Sequence, residues 1–304
     1  MMNSYQELCK KVFSDFPEAH TKYAEPISKH TYTRLGGVAD LLMFPTAVEE
    51  IATIVRRTAA HDIPLTILGY GSNMIVRDGG IRGVTMSLQH LNGIDTHEGI
   101  MKAQAGSSII EVSQAALRAS LTGLEFACGI PGSTGGALYM NAGAYGGEMT
   151  DVVISATIVT EQGDIVVMNK DEMELAYRHS RFMQTRDIIV DVTFQLTPGD
   201  PALIRAKMEE LTLARESKQP LEYPSCGSVF KRPPGYFAGK LIQDCDLQGT
   251  RIGGAEVSTK HSGFIVNIDH ATAQDYIDLI ALVQQRVREK FQVELETEVI
   301  IIGE

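Results

Sequence analysis

A mixed α/β fold followed by a smaller α+β portion is what this chain predicts, on three observations. From residue 41 to 190 short β-like runs alternate with segments of helical period. Pro198-Gly-Asp-Pro201 interrupts that alternation, and a domain boundary is expected near Pro198. Beyond it, turn-rich sequence from 220 to 270 gives way to one long helix and a terminal extended run. With 304 residues the chain can hold two or three domains with cores of their own.

The elements follow in order. Tyr5, Leu8, Val12, Phe13 and Phe16 fall close to helical spacing, so a packed N-terminal helix is expected within residues 1–22. Arg34-Leu-Gly-Gly37 joins two extended pieces as a tight turn; its paired glycines beside Thr33 could equally face a ligand. In LLMFPTAVEEIATIVRRTAA a strand leads into a helix. Thr46 and Glu49 read as its capping box, and Val48, Ile51, Val55 and Ala59 as its apolar stripe. The buried strand Leu65–Leu68 runs straight into Gly69-Tyr-Gly-Ser-Asn73. Residues 75–105 read as short strands with turns at Asp78-Gly-Gly80 and Asn92-Gly93. Residues 107–120 read as a helix with Ile109, Ile110, Val112, Ala116 and Leu117 inward. VVISATIVT and DIVVM flank a hairpin turn at Gln162-Gly163, and DIIVDVTFQL is a further strand. ALIRAKMEELTLARESK is a helix with Leu203, Met208, Leu211 and Leu213 as its apolar positions. Thr272 N-caps the last helix, whose early Asp275 and Asp278 and late Arg286, Arg288 and Lys290 complement the helix dipole. The chain closes on an expected strand from Phe291 to Ile302. Its apolar face is Phe291, Val293, Leu295, Val299 and Ile301; its acidic face is Glu294, Glu296 and Glu298.

Composition narrows the function. The hydrophobic share of 44% suits a soluble globular protein. No apolar run reaches the roughly 18 residues of a membrane span, and the N-terminus lacks a signal peptide's apolar core. No membrane partner is expected. The net charge of −11 argues against a nonspecific grip on nucleic acid, which needs a basic face. Cys9, Cys128, Cys226 and Cys245 form no CxxC pair or Cys/His cluster, and His179, His261 and His270 show no ligand spacing. No metal is expected, and reduced thiols in a cytoplasmic protein are.

The densest chemical signal is CGIPGSTGGALYMNAGAYGG, Cys128 to Gly147, with glycine at 129, 132, 135, 136, 143, 146 and 147. Glycine lets a ligand touch the main chain directly, and Ser133, Thr134 and Asn141 add short polar side chains. That combination suits a backbone cradle for a diphosphate. Glycine richness alone would also describe a surface loop, but Ile130-Pro131 stiffens the entry and Ala137–Met140 is apolar enough to be buried. Gly69-Tyr-Gly-Ser-Asn73 is a second, weaker cradle. It lacks the third glycine and the following helix of a dinucleotide fingerprint. Three residues could do chemistry. Arg178, before a strand, offers a fixed cation and a planar fork of donors for a carboxylate or an enolate, or a surface ion pair. Ser228, in Cys226-Gly-Ser-Val-Phe-Lys-Arg-Pro-Pro234, is a turn serine or a proton donor in a local positive field; no Gly-x-Ser-x-Gly elbow surrounds it. Glu298 belongs to an acidic face that solvation alone explains. Lys240 lacks the ending of a nucleotide P-loop.

Together these motifs resemble the UDP-N-acetylenolpyruvoylglucosamine reductase (MurB) family. The resemblance rests on TRLGGVAD, LGYGSN, GIPGSTGGALYMNAGAYGG, YRHSRF, GSVFKRP, AGKLIQ and LETEV, in that order, from about Thr31 to the C-terminus. It implies an FAD-binding fold of the vanillyl-alcohol-oxidase (PCMH) type: two α/β subdomains over about 31–65 and 66–198, then an α+β substrate domain over 199–304, after an N-terminal helical segment, 1–30. It implies non-covalent FAD, contacted by Gly69, Gly71, Ser72, Asn73, Ile130, Gly132, Ser133, Gly136, Asn141 and Gly143, with Thr33 and Gly37 as further contacts. It places the catalytic arginine, serine and glutamate on Arg178, Ser228 and Glu298. NADPH would be the co-substrate and UDP-N-acetylglucosamine enolpyruvate the substrate, in a cytoplasmic step of peptidoglycan precursor synthesis. Lys231, Arg232, Lys240 and Gln243 are the expected substrate contacts. The substrate domain is compact and lacks the loop that supplies a tyrosine over the substrate in larger members; Tyr145 and Tyr177 are the candidates to close the site. The rival readings are a flavin-dependent oxidase of a small alcohol or sugar on the same fold, and a sugar-nucleotide-binding flavoprotein without turnover.

Overall fold

The structure, a computed structural model, describes residues 4–304, with side chains from Tyr5. The chain divides into two compact units that interleave along the sequence. The first holds residues up to Tyr23, Asp40–Tyr70 and Gly83–Arg215; the second holds Ala24–Ala39, Gly71–Arg82 and Glu216–Glu304.

In the first unit, helix α1 (Ser4–Val12) buries Cys9, and Phe13 follows it into the core. Helix α2 (Val48–Ala60) buries Ile51, Ala52, Ile54, Val55 and Thr58; Ala59, expected inward, is exposed. Its start also differs from expectation. The N-cap is Ala47, and the N–H and hydroxyl of Thr46 donate to Glu50 (2.6 and 3.2 Å), so the acidic partner is one residue later than Glu49. Strands β1 (Thr21–Pro26), β2 (Val38–Met43), β3 (Leu65–Leu68) and β5 (Ile81–Ser87) form a sheet in the order β1-β2-β5-β3, with β3 and β5 parallel. The division between units falls within β1, β2 and β5.

A second sheet has the order β12-β11-β13-β7-β6, every neighbouring pair antiparallel. Its strands are β6 (Ile94–His97), β7 (Ile100–Gln104), β11 (Val153–Val159), β12 (Ile165–Asn169) and β13 (Ile188–Gln195). Central β13 is buried along most of its length, which explains its near-continuous apolar run. The β11–β12 hairpin turns at Gly163 (φ +86°), as its Gln-Gly sequence predicts. Helices α3 (Ile109–Arg118) and α4 (Thr134–Tyr139) belong to the same unit, as do the short pairs β8 (Leu121–Thr122) with β14 (Thr197–Pro198) and β9 (Gly143–Ala144) with β10 (Gly147–Glu148). Helix α5 (Pro201–Lys218) packs Ile204, Met208 and Leu211 against Leu117 and Cys128. That contact carries the first unit past the Pro198 break to Arg215. Leu203 and Leu213, expected in its apolar stripe, are exposed.

In the second unit, β15 (Ser225–Ser228), β18 (Phe264–Asn267), β17 (Ala255–Val257) and β16 (Arg251–Ile252) form an antiparallel sheet in that order, and β4 (Met74–Val76) pairs parallel with β19 (Ile300–Ile302). Helices α6 (Ala238–Asp244) and α7 (Ala273–Phe291) share its core through Leu241, Ile242, Tyr276, Leu279 and Val283. The Thr272 cap is present, with Asp275 closing the box; main-chain N–H donors, Thr272's first, hold the Asp275 carboxyl below its ordinary range. The terminal strand is shorter than expected. Helix α7 continues to Phe291, Gln292 (φ +57°) ends it, and only Ile300–Ile302 is paired as a strand. The alternation survives without the sheet because Leu295 and Val299 are buried while Glu294 and Glu296 pair with Arg288 and Lys231. Among the described residues, no helix is long and apolar enough to cross a membrane, and no group of His, Cys, Asp or Glu is placed to hold a metal ion.

Burial pushes the Cys9 thiol from an ordinary 9.0 up to about 11 and the Cys226 thiol up to about 12. Both pKa values are higher folded than unfolded, so this contribution to stability is complete below pH 9.0 and is lost as pH rises toward 11–12. Urea midpoints should therefore fall between pH 8 and pH 11, and Cys226→Ala should flatten that fall. A midpoint independent of pH across this range would refute it.

Candidate active site

The glycine stretch begins at the N-terminus of α4. Gly132 (φ +144°) leads into Ser133, whose hydroxyl accepts from the Gly136 N–H (3.2 Å) as N-cap. The end of β3 reaches the same point: a Cβ added to Gly69 would lie 2.6 Å from Ser133 Oγ. Gly69 and Gly132–Gly136, far apart in sequence, thus converge. Several amides of this turn are spent on the fold. Thr134 N–H donates to the Ser107 carbonyl (2.8 Å) and Gly135 N–H to that of Ala105 (2.9 Å). Gly135 is needed for that approach, because its Cβ would come within 2.8 Å of Ala105 Cβ. Gly136 is different: it is exposed, and its Cβ would meet only Ser133 Oγ, at 3.2 Å. Glycine inside a helix costs about 1 kcal/mol relative to alanine, and packing at Gly136 does not call for it. The main chain of α4 is open at that point.

Asn141 organises the rest of the stretch. It is fully buried with φ +41°, a left-handed conformation that asparagine tolerates. Its Oδ1 accepts from Thr150 N–H (2.9 Å) and its Nδ2 donates to the Ala176 carbonyl (2.9 Å). Ala176 and His179 exchange main-chain hydrogen bonds and leave Tyr177-Arg178 at the tip of a tight turn. Arg178 has φ +52°, a conformation costing a non-glycine residue about 1–3 kcal/mol. Its Nη2 donates to the Gly143 carbonyl (3.3 Å), and its guanidinium stands 5.1 Å over the Tyr177 ring. Ser180 Oγ ties the turn's exit to the Tyr139 carbonyl (2.6 Å). Arg178 is therefore a positioned half-buried cation. Tyr177 is exposed beside it, and Tyr145 is exposed at the tip of the β9–β10 hairpin. Ile130 is half-buried just before Gly132.

The second unit brings Ser228 and Glu298 together. Gly227 (φ +77°) bulges β15 against β18 and turns Ser228 at the strand end. The adjoining Val229 carbonyl accepts from the N–H of Glu298 (2.8 Å), and Lys231 N–H donates to the Glu296 carbonyl (2.9 Å). Asn73 Nδ2 donates to the Glu298 carbonyl (3.2 Å), so that residue is held by both its main-chain groups. Cys226, fully buried, feels the Glu298 charge in addition to its burial. Gly37 and Gly71 have packing reasons to be glycine: their Cβ atoms would lie 2.1 Å from the Asp78 carbonyl oxygen and 2.5 Å from that of His30. Thr33 is buried with its carbonyl accepting from Asn267 Nδ2 (3.0 Å), and Ser72 is half-buried. Lys231 pairs with Glu296 and Lys240 with Asp244, both at 2.5 Å; Arg232 stacks on Phe237 at 4.0 Å, and Gln243 is exposed on α6.

His261, unremarkable in the sequence, also belongs here. Its Nδ1 accepts from Gly263 N–H (3.1 Å), and burial lowers its pKa toward the neutral ring. A Cβ on Gly263 would lie 3.0 Å from the His261 ring and 3.7 Å from Ser228 Oγ. No spacing rule would have found it, because a β-sheet partner brings it to Ser228.

Residues 39–169 match the profile of an FAD binding domain, and 219–302 that of the UDP-N-acetylenolpyruvoylglucosamine reductase C-terminal domain. The chain is thus an FAD-dependent oxidoreductase with the expected PCMH-type fold. A UDP-N-acetylenolpyruvoylglucosamine reductase of Shouchella clausii is 58% identical over 303 residues, 100% of this chain and 97% of that one. One from Listeria monocytogenes is 58% identical over 95% of this chain and 97% of its own. The crystal structure of the Thermus caldophilus reductase superposes with a TM-score of 0.79 at 32% identity, covering 91% of this chain and 97% of that one. The chain belongs to the UDP-N-acetylenolpyruvoylglucosamine reductase (MurB) family.

Replacing Asn141 by alanine leaves the Thr150 N–H and the Ala176 carbonyl unpaired. Stability should fall by about 1–3 kcal/mol, read by urea unfolding. Turnover should fall further than bound flavin does, because the Arg178 turn loses its tether. Unchanged stability would remove Asn141 from this role.

Proposed function

We propose that the protein reduces UDP-N-acetylglucosamine enolpyruvate to UDP-N-acetylmuramate with NADPH, as a cytoplasmic step toward peptidoglycan. The observation that carries this reading is the backbone ladder that sets Ser228 beside Glu298; similarity to named reductases along the whole chain supports the substrate. Gly69, Ile130, Gly132, Ser133, Gly136, Asn141 and Gly143 would hold FAD, with Thr33, Gly37, Gly71, Ser72 and Asn73 as further contacts. Bound FAD supplies the hydride relay between NADPH and substrate.

The rest falls to the chain. Hydride addition at the vinyl terminus leaves negative charge on the adjoining carbon and its carboxylate. The Arg178 guanidinium, oriented in advance by the Gly143 carbonyl and the Asn141 tether, stabilises that charge without reorganising. Glu298 joins it in stabilising that charge, and Ser228 Oγ donates the proton to the adjoining carbon. Lys231, Arg232, Lys240 and Gln243 would take the diphosphate and sugar, and Tyr145 or Tyr177 would close over them. The ion pairs of Lys231 and Lys240 are largely exposed, and such pairs are worth about 0–1 kcal/mol, so exchanging a carboxylate for a phosphate costs little.

The test is anaerobic. NADPH should bleach the flavin, and the enolpyruvyl substrate should restore its oxidised absorbance within a turnover; restoration by oxygen alone would overturn the assignment. Ser228→Ala should leave flavin reduction nearly intact and slow reoxidation by about 100- to 10,000-fold. Equal losses in both halves would remove Ser228 as proton donor. Arg178→Lys should cost about 100- to 1,000-fold in reoxidation, since a point charge replaces the planar fork.

A further inference from the structure

The turn from Ser258 to Phe264 is closely braced. Ser258 Oγ accepts from the N–H groups of Lys260 (3.1 Å) and His261 (3.2 Å). Ser258 N–H donates to the Phe264 carbonyl and Phe264 N–H to that of His261, both at 2.9 Å. Ser262 Oγ donates to the Gly239 carbonyl of α6 (2.6 Å), and the Phe264 ring meets the His261 ring edge-on at 4.9 Å. The turn is also fastened to the strand that carries Ser228. Val229 N–H donates to the Gly263 carbonyl (2.9 Å), and Ser228 lies opposite Phe264 in the β15–β18 register.

This bracing fixes the chemistry of the His261 ring. Its Nδ1 accepts from Gly263 N–H (3.1 Å), so in the neutral imidazole the proton sits on Nε2. Burial lowers the ring's pKa below its ordinary value and keeps it neutral. A neutral imidazole with a fixed tautomer acts as a hydrogen-bond donor, not as an acid. Among the described residues, neither His261 Nε2 nor Ser228 Oγ has a hydrogen-bond partner. The ring and the hydroxyl border one space beside Gly263, where an added Cβ would lie 3.0 Å from the ring's Cε1 and 3.7 Å from Ser228 Oγ. Gly263 does not have a left-handed backbone, so it is its missing side chain that leaves the two groups open to each other.

We infer that His261 is a positioning residue for Ser228, its Nε2–H donating to Ser228 Oγ as that hydroxyl gives up its proton. The inference rests on the role proposed above for Ser228. A serine hydroxyl is a weak acid, and the charge left on its oxygen is best met by a donor already in place. In this step the Ser228 O–H bond breaks, its electron pair stays on Oγ, and the proton forms the new C–H bond on the carbanionic carbon. His261 keeps its own proton throughout, and water returns one to Oγ before the next turnover. Passing on the Nε2 proton would require a proton at Nδ1, and the Gly263 N–H occupies that nitrogen.

The test follows the two half-reactions of the holoenzyme separately, without oxygen. His261→Leu should leave flavin reduction by NADPH unchanged. It should slow reoxidation by the enolpyruvyl substrate about 10- to 100-fold, the worth of one hydrogen bond to a charged group. His261→Gln, whose amide nitrogen reaches the place of the ring Nε2, should recover most of that rate; the shorter His261→Asn should not. Gly263→Ala keeps both groups but sets a methyl between them, and should slow the same half-reaction. In a Ser228→Ala background His261→Leu should add nothing, because the group it positions is gone. Losses that multiply in the double variant, a loss shared by flavin reduction, or a Gln variant no better than Asn would each overturn the inference. If the substrate does not reoxidise the unaltered protein at all, the proposed function itself fails. If it does, and His261→Leu matches that rate, only the role of His261 falls.

Discussion

The buried amide of Asn141 is the interaction on which the glycine stretch and the Arg178 turn of the first unit depend. A carboxamide is the one short side chain that can donate and accept at opposite ends while it stays neutral in an apolar setting. Here it spans the glycine stretch and the turn that carries Arg178. The arginine is a long, mobile side chain, and it becomes a fixed charge only because its main chain is held and its guanidinium is tied to Gly143. Strain at its positive φ is tolerated because three tethers, at Ala176, Gly143 and Ser180, over-determine the turn.

The second unit reaches a comparable result by other means. Ser228 and Glu298 are placed by main-chain hydrogen bonds between short extended segments, with Asn73 closing the ladder from a third. Main-chain geometry is stiffer than side-chain geometry, so the backbones of the two residues are held in a fixed register. Lys231 and Lys240 are arranged loosely, in largely exposed pairs that another anion can displace.

Much of this was legible because the relevant signals are local. The Thr272 box, the Gln162-Gly163 hairpin, the apolar run of β13 and the Cys128–Gly147 stretch each depend on residues close in sequence. The errors arose where a distant partner decides. Thr46 bonds Glu50 instead of Glu49 because the helix begins one residue later. Leu203 and Leu213 were read as core although α5 buries only the face that meets Leu117 and Cys128. The terminal alternation looked like a strand, but capping by Gln292 and isolated bonds to residues 229–231 give the same burial without one. Two amides of the glycine stretch, those of Thr134 and Gly135, are taken up by the carbonyls of Ser107 and Ala105, a pairing that glycine content alone does not reveal. The sequence offers Arg178, Ser228 and Glu298 as candidates, and only the resemblance assigns them catalytic roles; Asn141's tether and the approach of His261 to Ser228 across Gly263 have no counterpart in spacing.

The buried thiol two residues before Ser228 has a consequence for the durability of the protein. Oxidation of cysteine proceeds from the thiolate, and both low-pKa character and exposure promote it. Cys226 has neither: it is enclosed, and the nearby Glu298 charge adds to the burial that keeps its proton in place. Peroxide made when a reduced flavin leaks electrons to oxygen therefore meets a neutral, inaccessible sulfur two residues from Ser228.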